Sequence, residues 1–160
     1  MATANAATSF LENRLLSLIF KNNAASFSTP GNSIYVGLAT AVSDFSSSTG
    51  ESSASTAITE ATYSGYARKQ VNHADWTLTA DTADTQSIKN TNNIEYDPST
   101  DGTPDVITHV FISTVASGTS LDLIGSGGNV LFVGALDTSK TIAEGDIFRI
   151  NALNLTIELK

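Results

Sequence analysis

At 160 residues, 41% of them hydrophobic, the chain is long enough to bury one core without covalent staples. Its formal charge of −8, from 8 basic and 16 acidic residues, repels a phosphate backbone and argues against nucleic acid as a partner. The lack of cysteine excludes disulfides and thiolate metal sites, and no run approaches the roughly 20 apolar residues that span a bilayer.

Charged residues make up only 15%, against roughly a quarter in ordinary soluble proteins. Ser, Thr, Asn and Ala fill the gap, a composition that suits a secreted or assembled β protein better than a helical enzyme. The N-terminus has neither the basic start nor the cleavage site of a secretory signal, which fits assembly in a cytoplasm.

Residues 1–23 read as a leader and a docking helix on a single 1–160 domain. Ser9 stands three residues before Glu12, a capping-box spacing, and predicts a helix from Phe10 to about Lys21. Leu11, Leu15, Leu18 and Ile19 make one stripe, while Phe10, Leu16 and Phe20 spread onto other faces. Such a helix is apolar over more of its circumference than one sheet face covers. It either lies across its own sheet or also docks onto another subunit, with Leu11, Leu15, Leu18 and Ile19 as the anchor.

Pro30-Gly31-Asn32 signals a turn into a strand at Ile34–Ala39. Ala41 to Thr59 is Ser/Thr-rich and reads as a long surface loop of the kind that serves contact. Gly65–Val71 is the next expected strand, and its Arg68 and Lys69 are candidate contacts to an acidic neighbour. Short strands are expected around Trp76 and Leu78, then at Ile88, Ile94 and Tyr96.

Val106–Ile112 and Val130–Leu136 are apolar at nearly every position, the pattern of strands covered on both faces. Leu121–Ile124 is expected to join the second across the hairpin Gly125–Gly128, and Asp137–Lys140 to turn the chain before Ile147–Ile150. Leu153–Leu159 alternates strictly, so one face seeks a core and the other meets water. The fold class that follows is all-β, an antiparallel sandwich or open barrel with one N-terminal α-helix.

Chemistry is sparse. His73 and His109 are the only histidines, and His109 lies in an apolar run where a core or interface role outweighs ligation. Asp97, Asp101 and Asp105 recur every four residues, which could cradle a hard cation, but the EF-hand order is missing and a solvated turn is the default. Gly125–Gly128 lacks the Lys-Ser/Thr of a phosphate loop. Tyr63, Tyr66 and Trp76 offer either a sugar-stacking platform or core aromatics. Glu51, Glu60, Glu95 and Glu144 form no pair that the sequence can define, so no catalytic residue, cofactor or metal is expected.

The order of these features resembles a family of small tailed-bacteriophage virion proteins, tail-fibre-like or capsid-associated. The resemblance rests on Ile34–Thr40, Gly65-Tyr66-Ala67-Arg68, Trp76, Thr108-His109-Val110, Leu131–Leu136, Ser139–Ile142 with Gly145-Asp146, and the alternating C-terminal strand. It implies a β-sandwich, found in the virion and assembled in the host cytoplasm, that stabilises the particle by contacts with capsid or tail proteins and with copies of itself. The multi-copy head-decoration (cement) protein and the tail-associated protein both fit. The alternative is a receptor- or carbohydrate-binding module with a host glycan as partner, using the Ala41–Thr59 loop and exposed tyrosines.

Overall fold

The computed structural model describes residues 6–21, 33–43, 58–82, 85–118, 121 and 129–159, and in it the strongest apolar runs pair with one another. In chain order these are β1 (Ala6–Ala7), α1 (Ser9–Lys21), β2 (Ser33–Val42), β3 (Ile58–Glu60), β4 (Lys69–Asn72), β5 (Trp76–Thr82), β6 (Thr85–Asn90), β7 (Ile94–Glu95), β8 (Asp105–Ser113), β9 (Val130–Ile142), β10 (Arg149–Ile150) and β11 (Thr156–Leu159). The main sheet has the order β1-β9-β8-β2-β3, with β4 beside β3 on the same edge of β2. A three-stranded sheet, β11-β6-β5, and a β10-β7 pair complete the described residues. Every pairing is antiparallel and no barrel closes. The fold is therefore all-β and sandwich-like, with one α-helix among the described residues.

Alternation sends neighbouring side chains of the central strands into two different cores. Leu38 and Val110 join Val36, Val71, Ile94, Tyr96, Ile107, Ile142 and Phe148 on one face. Ala39 and Phe111, one residue further on, join Ile58, Leu121, Val130 and Val133 on the other. That is why β8 is apolar at nearly every position. Strand β9 is less covered than its sequence suggests: Val130 and Val133 are buried, while Leu131, Phe132 and Leu136 are only half-buried.

Four local expectations are corrected. The polar stretch Asp137–Lys140 is no turn and lies inside β9. Between the pairs Ile107↔Lys140 and His109↔Ala135, β8 advances two residues while β9 covers five, so the strand bulges and exposes its polar residues there. The expected Gly65–Val71 strand begins only at Lys69, because Gly65, at φ +100°, turns the chain and the Tyr66 N–H donates to the Tyr63 carbonyl at 3.0 Å. At the C-terminus Leu153 is outside the strand, at φ 66°. The buried Asn90 holds that turn: its side-chain amide donates to the Asn151 carbonyl at 2.9 Å, and its side-chain oxygen accepts from the Leu155 N–H at 2.8 Å.

The fourth is the helix cap. Thr8, not Ser9, closes the N-terminus of α1: its hydroxyl oxygen accepts from the Leu11 N–H at 3.2 Å, and its hydroxyl donates to the Val130 carbonyl at 2.6 Å. The expected loop from Ala41 to Thr59 is bounded by paired strands, with Val42 opposite Ile58; its residues 44–57 lie outside the described residues, as do 122–128 of the expected glycine hairpin.

Candidate functional site

Helix α1 divides its apolar residues between two directions. At about 100° per residue, Leu11, Leu15 and Leu18 fall within about 60° of one another, Leu16 and Phe20 fall on the opposite side, and Ile19 lies on the flank between them. The structure follows that division. Leu11 is buried and Leu15 half-buried on the side that packs toward β9, and Leu18 sits at the margin. Leu16, Ile19 and Phe20 are 57%, 67% and 79% exposed. Of the expected anchor, Leu11 is thus spent inside the fold, and Ile19, on the flank, is exposed together with Leu16 and Phe20. A helical wheel drawn from the sequence sets Leu16 and Phe20 opposite Leu11, while the exposure of Ile19 is seen only in the structure.

A second apolar surface lies on the small sheet and went unread in the sequence. Leu78, Ile88 and Ile157 are register partners across β5, β6 and β11. Leu78 is 72% exposed and the other two half-buried. Two residues earlier on the same face, Trp76 and Leu155 pack against the first core.

Arg68, expected as a contact to an acidic neighbour, turns into the fold. Its side chain is only 2% exposed. The guanidinium grips Glu60 through Nε at 2.7 Å and Nη2 at 2.8 Å, donates to the Val115 and Gly118 carbonyls, and lies 5.4 Å from the centre of the Phe111 ring. Lys69 remains nearer the surface, paired with Asp97 at 2.9 Å.

Of the two readings of the tyrosines, platform or core, the structure gives the core. Tyr63, Tyr66, Tyr96 and Phe148 form a chain of rings with centroids 5.5, 6.0 and 5.8 Å apart, and Trp76 packs against the same core. The buried Tyr63 hydroxyl has no partner among the described residues, whereas the Tyr66 and Tyr96 hydroxyls do structural work at the edge of β2, where β4 ends and β3 has not begun. There the Tyr66 oxygen accepts from the Leu38 N–H at 3.0 Å while its hydroxyl donates to Glu60 at 2.7 Å. Tyr96 donates to the Val36 carbonyl at 2.9 Å. Backbone groups that the ladder would leave open are thereby satisfied. Burial, then the Glu60 charge, raises the Tyr66 pKa, and burial, then Asp97 and Asp105, pushes Tyr63 up to about 12, so both hydroxyls stay protonated.

The three spaced aspartates brace the turn after β3. Asp105 accepts from the Thr62 and Tyr63 N–H groups at 2.6 and 2.9 Å, and Asp101 from the Ser64 N–H at 2.9 Å. With Asp97 on Lys69, each carboxylate has a partner within the chain, the arrangement of a braced turn and not of a cation cradle. No cluster of three or more metal-ligating side chains occurs among the described residues.

His109 is buried on β8. The Thr108 hydroxyl donates to the Thr40 carbonyl at 2.9 Å, so its oxygen accepts from His109 Nδ1–H at 2.8 Å and Nε2 is the bare nitrogen. Nε2 is enclosed without a partner among the described residues, and burial lowers the imidazole pKa from 6.5. The unfolded chain therefore takes up this proton first. Stability from the neutral ring is intact above about pH 6.5 and is lost as pH falls below it. Denaturation midpoints measured from pH 7 to pH 5 are expected to fall for the native chain and to fall less for His109→Gln; equal slopes would contradict the assignment.

The family model described as podophage GP4 fiber I protein gp80 matches residues 6–158, nearly the whole chain. No curated protein matches.

Proposed function

The chain belongs to the podophage GP4 fiber I protein gp80 family, and on that premise we propose that it is a tail-associated fibre subunit, seated on the virion through the outer stripe of α1. It is a structural component of a phage particle. Head decoration, the other placement its sequence allows, has less support, since the family is one of fibre proteins.

One observation carries the seat: Leu16, Ile19 and Phe20 stand in water on a helix whose opposite side is already packed. Covering them returns roughly 25 cal/mol per Å² of apolar area, and repetition over several copies turns weak contacts into a stable attachment. The role is passive and uses no catalytic group. The acidic, hydroxyl-rich remainder of the surface keeps the particle in solution.

Ile19→Asp and Phe20→Asp test this. Both positions are exposed, so the purified variants are expected to unfold within about 0.5 kcal/mol of the native chain. Particles grown with them are expected to carry few copies or none, and imaged native particles to show the chain on the tail. Normal copy number of folded variants would overturn the seat, and density confined to the head would overturn the placement.

A further inference from the structure

We propose that the cleft between the second half of β9 and the chain from Asp146 to Asn154 binds a short neutral oligosaccharide. The inference is independent of the seat on α1, which contributes no residue to this cleft.

The cleft exists because a hairpin is held open. At its closed end the Asp146 N–H donates to the Ala143 carbonyl at 3.0 Å, and the Asp146 carboxylate accepts from the Ala143 N–H at 3.0 Å. Beyond that turn the two arms take different partners. Strand β9 stays on β8, with Ile142 opposite Asp105 and Lys140 opposite Ile107. The returning arm follows residues 94–99 instead. The Ser99 N–H donates to the Asp146 carbonyl at 3.1 Å, the Tyr96 N–H to the Phe148 carbonyl at 3.0 Å, and β10 pairs with β7. The arms therefore stand apart around a space of about 780 Å³, within the roughly 300–1,000 Å³ of small-molecule sites. Each wall is fixed by its own bonds, so a ligand has little of the chain to order.

The lining is mixed. Ile142 and Phe148 belong to the first core, and Leu136 and Ile150 pack against it, so the apolar part of the cleft is anchored. With them stand Asp137, Lys140, Asn151 and Asn154, exposed side chains without a hydrogen-bond or charge partner among the described residues. A carboxylate accepts, an ammonium donates and an amide does both. Sugar hydroxyls both donate and accept around the whole ring, and the C–H faces between them suit aliphatic side chains.

Charge narrows the class. Asp137 and Asp146 balance Lys140 and Arg149 in the lining, and Arg149 is already paired with Glu95. A strongly anionic or cationic ligand has no net field to meet there. An extended peptide is disfavoured for another reason: β10 has only two residues, too few to take up an added strand.

Titration of the full chain, followed through its backbone amide resonances, tests this. The neutral probes are maltotetraose, cellotetraose, mannotetraose and chitotetraose; a heparin tetrasaccharide and a pool of octapeptides are the competing classes. At least one neutral probe is expected to shift amides of residues 136–142 and 146–154. Silence from all four, shifts centred elsewhere, or a stronger response to the heparin fragment or the peptides would overturn the proposal. For the best neutral probe, Asp137→Ala and Asn151→Ala are each expected to weaken binding about tenfold, the loss of one hydrogen bond to ligand. Both positions are exposed, so denaturation midpoints are expected to stay at the native value. Native affinity in both folded variants would also overturn it.

Discussion

Gly37→Ala is expected to destabilise the fold by about 3 kcal/mol or more. Gly37 and Phe111 are directly opposed on β2 and β8. A Cβ at Gly37 would lie 2.1 Å from Cζ of Phe111 and within 2.6 Å of both Cε atoms, inside the space the ring occupies. The ring cannot swing aside, since it is fully buried and carries the Arg68 guanidinium over it. The glycine is thus the seat of a buried aromatic, a cross-strand arrangement in which the ring covers the backbone its partner leaves bare. Urea denaturation measures the loss. The double variant Gly37→Ala, Phe111→Leu is expected to lose less than the sum of its parts, because shortening the ring removes the clash. A single variant within about 0.5 kcal/mol of the native chain would show that the strands separate freely here.

Arg68→Ala is expected to cost about 3–5 kcal/mol. The change removes the charge partner of the Glu60 carboxylate, whose side chain is 23% exposed, and takes the guanidinium donor from the Val115 and Gly118 carbonyls, of which Val115 keeps the Ser113 hydroxyl at 3.3 Å. Arg68→Lys is expected to recover only part, because an ammonium cannot reproduce the fork that holds Glu60 while reaching two carbonyls. Replacing both partners, Arg68→Met with Glu60→Gln, is expected to cost less than Arg68→Ala alone, since no buried charge is then left uncompensated. Denaturation midpoints at one pH check all three. Equal losses for the single and double variants would mean that packing on Phe111, not charge, is what Arg68 supplies.

These two sites mark where the sequence stopped being informative. Strands β2, β8 and the start of β9 were legible because alternation and unbroken apolar runs are local properties, and so was the helix. What patterning does not carry is the identity of distant partners. Tyr66 and Trp76 were readable as either platform or core, and the choice depends on Leu38, Glu60 and a core assembled from far along the chain. Arg68 beside Lys69 reads as a basic surface pair, yet one side chain turns in to Glu60 and the other reaches Asp97. Thr8 and Ser9 are equally good cap residues. The Val130 carbonyl, 122 positions away, decides between them. Asp137–Lys140 has the composition of a turn because a bulge exposes side chains as a turn does.

The pairing of Val42 with Ile58 closes the segment 43–57 at its base. With its ends fixed in the sheet, the number of residues between them becomes nearly a free parameter: doubling the length costs only about 0.6 kcal/mol in closure entropy. Residues 61–66 are bolted independently by Asp101, Asp105 and Leu38, so the strain of a longer or shorter insert would not travel into them. Evolution can therefore rewrite that stretch, in length as well as in composition, while the scaffold that presents it keeps its shape.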